Sequence, residues 1–189
     1  HFQVIKTNST GYTTSLKTFT PSTNGITNIK VALIKPTFKT SFDAKNGGTV
    51  SNDKLAIEFP AESIADQSGN LYTGKGTTTV TYYDPNSETF SATVPGTLVG
   101  LDDNDTMQAL ISKGMIKVDL TDNSGNELEI FEDKEASITL PANENDPETI
   151  NLWHLNEEKG IWVQTGTATK VENEYIVKVT HFSTYNLDV

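Results

Sequence analysis

Apolar residues recur at every second position in short runs along this chain, and clusters of Gly, Asn, Asp and Pro separate the runs. That period sets alternate side chains on opposite faces of a strand. It predicts strands over Phe2 to Lys6, Thr13 to Phe19 and Ile29 to Ile34, the last stopped by Pro36. A strand over Leu55 to Phe59 ends at Pro60 in a short helical turn to Ile64, and in Thr77 to Tyr83 the side chains of Thr78, Val80 and Tyr82 share one face. Met115 to Leu120 and Glu127 to Phe131 form a hairpin around the Asp122 to Asn126 turn, and Ala136 to Leu140 follows. Ile150 to Leu155, Ile161 to Val163 and Tyr175 to Val179 complete the pattern, and the last leads into an extended C-terminal run. One segment breaks the period. Met107, Leu110 and Ile111 fall at i, i+3 and i+4, with Asp105 placed to cap and Gly114 to stop, which predicts one short helix near residues 106–113. The expected fold is all-β: an antiparallel β-sandwich of many short strands, with Trp153 and Trp162 on paired strands as core residues.

Composition narrows the partners. The 189 residues carry a formal net charge of −11 and no basic run, which excludes a nucleic-acid or anionic-membrane surface, since both depend on clustered Lys and Arg. With no cysteine there is neither a disulfide framework nor a thiolate metal site. No apolar run of about eighteen residues is present, so this segment is not expected to insert into a bilayer, and a monomer is expected. The abrupt start His1-Phe2-Gln3-Val4 suggests a piece cut from something longer, with His1 a tag remnant. A change of texture after Pro36 divides the chain into residues 1–36 and 37–189.

Within the first segment, a strand, Gly11-Tyr12, a loop and a final strand before Pro36 follow one another. This resembles the tail of a carboxypeptidase regulatory-like domain, a small transthyretin-like sandwich, about half of which would be present. From Phe38, Gly47-Gly48, the 55–59 strand, Pro60-Ala61, Ile64, the 66–70 turn and the 77–83 strand occur in order. That order resembles the ZU5 domain. It is also similar to the extracellular domain shared by cartilage-intermediate-layer and FAM171-type proteins and by many bacterial surface proteins. The ending matches too: Trp153, Gly160, Trp162, Tyr175, His181, Ser183, Tyr185 and Asn186 fill the family's places, so the resemblance covers about residues 38–189. It implies a non-catalytic extracellular or cell-surface module that binds a protein or glycan.

The same resemblance supplies the one candidate chemistry, His181-Phe182-Ser183. In self-cleaving ZU5-type domains the peptide bond after Phe in His-Phe-Ser is broken. Here Ser183 would attack the Phe182 carbonyl, His181 would assist proton transfer, and water would hydrolyse the ester. That route also needs a strained amide and an oxyanion donor. The other reading makes His181 and Ser183 local hydrogen-bonding groups. Asp102, Asn104 and Asp105 are calcium candidates, although turn chemistry explains the same residues without a metal. The histidines at 1, 154 and 181 lack zinc-ligand spacing, the acidic pairs Glu157-Glu158 and Glu172/Glu174 read as solvated turns, and no cofactor is expected. A third function, carbohydrate binding, would use Trp153, Trp162, Tyr82 or Tyr83 as a sugar platform, provided that they are exposed.

Overall fold

Among the described residues the alternating runs become sixteen strands and one turn of helix. The computed structural model describes residues 3–189; His1 and Phe2, the start of the first expected strand, lie outside the described residues. In chain order the elements are β1 (Gln3–Thr7), β2 (Ser15–Phe19), β3 (Phe38–Asp43), β4 (Gly48–Ser51), β5 (Ala56–Phe59), β6 (Ile64–Ala65), β7 (Lys75–Tyr83), α1 (Phe90–Thr93), β8 (Val99–Leu101), β9 (Met107–Ala109), β10 (Ser112–Asp122), β11 (Glu127–Ile130), β12 (Ala136–Pro141), β13 (Thr149–Asn156), β14 (Ile161–Val171), β15 (Glu174–Val179) and β16 (Thr184–Asp188). No helix among the described residues is long and apolar enough to cross a membrane.

One hydrogen-bonded path runs β3-β7-β10-β16-β13-β14-β15-β12-β5-β4. Its two end strands, β3 and β4, are consecutive in the chain and joined by a tight turn in which Gly47 N–H donates to Asp43 O. The path therefore curls almost closed into a sandwich. Gly47 sits at φ +68°, and a Cβ there would collide with the Phe59 carbonyl, so the turn requires glycine. Inward-facing residues from every layer fill the interior, among them Ile57, Val80, Ile116, Ile138, Tyr175 and Leu187. Pairing is antiparallel throughout the path, and β8 adds a parallel contact to β14.

A second cluster lies on the outer face of the layer formed by β7, β10, β16, β13 and β14. It contains Leu16, Tyr83, Val94, Leu110, Met115, Trp153, Leu155 and Trp162. A bulge in β14 makes it possible. Leu152 pairs with Gly166 but Trp153 pairs with Gln164, so Thr165 is an extra residue and the facing of the strand inverts there. Ala168 consequently faces the main core and Trp162 the outer cluster, although both occupy even-numbered positions. The outer cluster is roofed by α1, by the β8–β9 hairpin and by β1–β2, which form a two-stranded sheet of their own. Lys17 Nζ donates to Val94 O at 2.6 Å, Thr18 Oγ1 to Gly160 O at 2.8 Å, and Lys6 pairs with Glu157 at 2.6 Å.

Three local expectations are corrected. Residues 106–113 hold no helix. Asp105 takes a left-handed φ of 57°, and Asp102 N–H donates to Thr106 O, so the chain reverses into β9 where a cap had been expected. The helical spacing had nothing to pack against, because Met107 is 59% and Ile111 69% exposed while only Leu110 is buried. The single helical turn is α1 instead. Ile29 to Ile34 joins no ladder: β2 ladders with β1 and its other edge makes an isolated bridge from Lys17 to Gly96, so the segment runs as extended coil, tied down by Thr13 N–H to Ile34 O at 2.9 Å. Pro60 to Ile64 is a turn with Glu62 at φ 54°, without helix.

Gly160 tests how the N-terminal hairpin is held. It lies at φ +65°, and a Cβ would run into the Thr18 hydroxyl and the Val4 side chain. Gly160→Ala is expected to destabilise by about 1–3 kcal/mol and to expose residues 3–19 to protease before the rest of the chain. A thermal melt and digestion pattern equal to those of the wild type would show that the hairpin does not depend on this contact.

Candidate functional site

The residues around the His-Phe-Ser tripeptide come from four strands that are distant in sequence. Val179 ends β15, Thr184 begins β16, and the link between them crosses the mouth of the sandwich. Phe182 is 8% exposed, and its ring packs edge-on to Phe59 with centroids 5.8 Å apart. Its N–H donates to Glu129 Oε2 at 2.9 Å. One residue back, the Tyr185 hydroxyl donates to His181 O at 2.6 Å; one residue on, Ser183 O accepts from Val118 N–H at 3.3 Å. Burial pushes the Tyr185 phenol well above its ordinary range, so it remains a neutral donor. Three hydrogen bonds thus clamp the backbone on both sides of the Phe182–Ser183 bond.

The groups that chemistry would use are less engaged. His181 is exposed, and its ring lies near the rings of His154 (5.6 Å) and Tyr185 (5.7 Å). Among the described residues neither the His181 imidazole nor the Ser183 hydroxyl makes a hydrogen bond, to the other or elsewhere. No residue from 180 to 184 has a positive φ. His154 is held below the usual imidazole range by desolvation, with neighbouring His181 adding to the effect.

Phe182 and Ser183 line a cavity of about 600 Å³ between β1–β2 and the β10–β11 hairpin. Lys6, Lys117, Asp119, Glu127, Glu129 and Glu157 supply its charges. Desolvation raises the Glu129 carboxyl above its usual range, against the pull of the Phe182 N–H. Asp119 is raised in the same way, with Lys117 at 3.4 Å opposing. Sequence reading missed Glu129. It lies 53 residues from Phe182, on a strand whose Glu-Leu-Glu-Ile alternation marks it as an ordinary outward residue.

The acidic loop is built as a turn. Asp102 Oδ1 accepts from the N–H groups of Asn104 and Thr106, both at 2.9 Å, and Oδ2 accepts from Gln108 Nε2 at 2.9 Å. The Gln108 amide and these backbone bonds hold the carboxyl below its usual range. No group of three or more His, Cys, Asp or Glu suited to a metal occurs among the described residues, Asp102 and Asp105 included. The aromatic platform fails on burial: Trp153 is 3%, Trp162 0% and Tyr83 2% exposed, and Tyr82 is half-buried.

Two measurements follow. Glu129→Ala leaves the Phe182 N–H without its acceptor and is expected to cost about 1 kcal/mol, whereas Glu129→Gln keeps an acceptor oxygen and costs less. Because the folded-state carboxyl of Glu129 is raised, its contribution is most favourable when protonated and is lost as pH rises through that value. Stability of the Gln variant should accordingly vary less with pH above the ordinary carboxylate range than that of the wild type, and identical pH profiles would contradict this. Chelator should leave the melting temperature unchanged, since the turn itself uses the Asp102 oxygens; a drop on adding chelator would mean that a bound cation helps hold the loop.

No family model matches the chain, and no solved structure is significantly similar to it. It is similar to cartilage intermediate layer protein 1 of Sus scrofa, with 30% identity over 115 residues, 58% of this chain and 19% of the relative. The Homo sapiens protein of the same name is 28% identical over 135 residues, 68% of this chain and 11% of the relative. In Mus musculus the figures are 28% over 127 residues, 64% and 10%. The chain thus spans less than a fifth of the length of these relatives.

Proposed function

We propose that the chain is a non-catalytic extracellular module, a structural or binding β-sandwich of a modular bacterial surface or secreted protein, with residues 1–36 the tail of a preceding carboxypeptidase regulatory-like unit. The observation that carries this reading is the state of the tripeptide. Phe182 is anchored in the core, while the Ser183 hydroxyl has no base bonded to it and the imidazole of His181 faces solvent. A nucleophile of this type ordinarily needs a base within hydrogen-bond reach. Similarity to cartilage intermediate layer protein 1 supports the extracellular placement.

One observation favours a second reading, self-cleavage. Phe182 and Ser183 open onto the cavity of about 600 Å³, from which water could reach an ester. Ser183 Oγ would attack the Phe182 carbonyl carbon, the C–N bond would break with a proton passing to the Ser183 amine, and water would then hydrolyse the ester to the Phe182 carboxylate. The β16 peptide would stay in place, paired with β10 on one side and β13 on the other.

Intact-mass measurement of denatured protein separates the two readings. A single mass for the whole chain is expected, and Ser183→Ala should shift stability by about 1 kcal/mol or less. Fragments 1–182 and 183–189 that disappear in Ser183→Ala and form more slowly in His181→Ala would overturn the non-catalytic reading.

A further inference from the structure

The outer face of the β10–β16–β13–β14 layer changes character along its length. At one end it is the apolar cluster around Trp162; at the other it carries Ser112, Asn186, Asp188, Asn151 and Gln164. These residues are direct cross-strand neighbours: Asn151 and Ser112 both pair with Asp188, and Trp153 pairs with Asn186 and with Gln164. The register breaks on both sides of the row, at Ser112/Gly114 in β10 and at Leu152/Trp153 between β13 and β14. The β8–β9 hairpin leans over this row and leaves a cleft of about 270 Å³. Gly100 allows the close approach, since a Cβ there would lie 2.6 Å from the Trp153 ring.

Among the described residues, two buried polar atoms on the floor residues of this cleft have no partner. Asp188 and Trp153 line it, each is 3% exposed, and neither Asp188 Oδ2 nor Trp153 Nε1–H makes a hydrogen bond. A buried carboxylate oxygen without a donor is costly. Burial pushes the Asp188 carboxyl up to about 6, opposed by the Asn186 amide and the Ile111 backbone, although Asn186 Nδ2 is too poorly aligned to bond Oδ2 and is itself a buried donor without a partner. The other side-chain carboxylate on the lining is Asp102, whose oxygens the hairpin turn already uses; Val189 lies on the rim, and among the described residues no Lys or Arg lines the cleft. The missing counterpart is a cation, and the chain as a whole is formally −11.

We propose that this cleft receives a basic side chain, an arginine guanidinium or a lysine ammonium, carried by an extended segment of a protein partner. The volume is below the roughly 300–1,000 Å³ of a pocket for a drug-sized ligand and suits a single long side chain. The cation pairs with the Asp188 carboxylate and Trp153 Nε1–H donates to a carbonyl of the partner, both buried atoms being reached as the overlying β8–β9 hairpin yields. Alongside, β9 pairs only with β8, and its three residues are exposed, so its outer edge can take an added strand. Met107 and Ile111, 59% and 69% exposed, flank that edge as apolar contacts. This inference rests on the binding-module reading and names the class of partner.

The test uses the whole chain, with its mass verified as intact, and extended acetylated peptides that differ only in a central Arg, Lys, Gln or norleucine. Calorimetry and the two indole N–H resonances report binding. The Arg and Lys peptides should bind at least about tenfold more tightly than the Gln peptide, with the margin shrinking as salt rises. That margin should vanish in Asp188→Asn, which keeps the side-chain shape. Gln164→Lys, which places an internal cation in the cleft, should abolish peptide binding and serves if the first variant fails to fold. Equal binding of the Arg and Gln peptides, no binding at millimolar peptide, or undiminished preference in a folded variant would each overturn the proposal. Fragmentation in the mass measurement would sink the non-catalytic reading alone, and peptide indifference this one alone.

Discussion

A single extra residue in β14 lets one strand serve two cores, and the rest of the architecture depends on it. Beyond Thr165 the strand turns Ala168 toward the interior of the sandwich; before it, Trp162 points outward beside Trp153 and Leu155. Two fully buried indoles cannot be left on a solvent face, since each buries of the order of 150–250 Å². The N-terminal hairpin, α1 and the β8–β9 hairpin therefore cover a surface that the main sheet could not solvate. Trp162 at 0% exposure and Leu16 at 3% belong to the one cluster that results.

β16 is the other strand on which much converges. It lies between β10 and β13, and all five of its residues are buried. Its inward residues Tyr185 and Leu187 belong to the main core, while Asn186 and Asp188 face the outer layer. The His-Phe-Ser link enters this strand under restraint from Glu129, Tyr185 and Val118. Such clamping orders the backbone around Phe182 but supplies neither a base for the Ser183 hydroxyl nor a left-handed residue at the bond.

Two groups of carboxylates are shifted in opposite directions. Asp43, Asp66, Asp102 and Asp122 lie in turns and are held below the usual range by hydrogen bonds from Asn46, Asn70, Gln108 and Asn126 respectively, with further backbone N–H groups adding to the effect. They are solvated and locally satisfied, so they serve the turns. Asp119, Glu129 and Asp188 are raised by desolvation and line the two clefts beside β10 and β16. Of these three only Asp188 is buried, Glu129 being exposed and Asp119 partly so, and in a chain of charge −11 it is the informative one, because burial of an acid without a full set of donors costs free energy.

Sequence alone determined the centres of the strands whose two faces have unequal burial, because a period of two is a local property: β7, β10, β12, β13 and β15 each contain a run visible as alternation, and the Asp-x-Ser-Gly-Asn turns were legible between runs. It also determined that Trp153 and Trp162 would sit on neighbouring strands in the core. Tertiary structure decided what depends on a partner distant in the chain. Met107, Leu110 and Ile111 carried a helical spacing, yet the left-handed Asp105 turned them into a hairpin with two of the three exposed. Ile29 to Ile34 alternated like a strand but met no free edge. Glu129 reached Phe182, and Asp188 came to lie beneath the β8–β9 hairpin beside Trp153, only because the sheet curls and a bulge inverts β14. A local period reports which face of a strand is apolar; which other segment covers that face is set by chain closure over many tens of residues, and no window of sequence contains it.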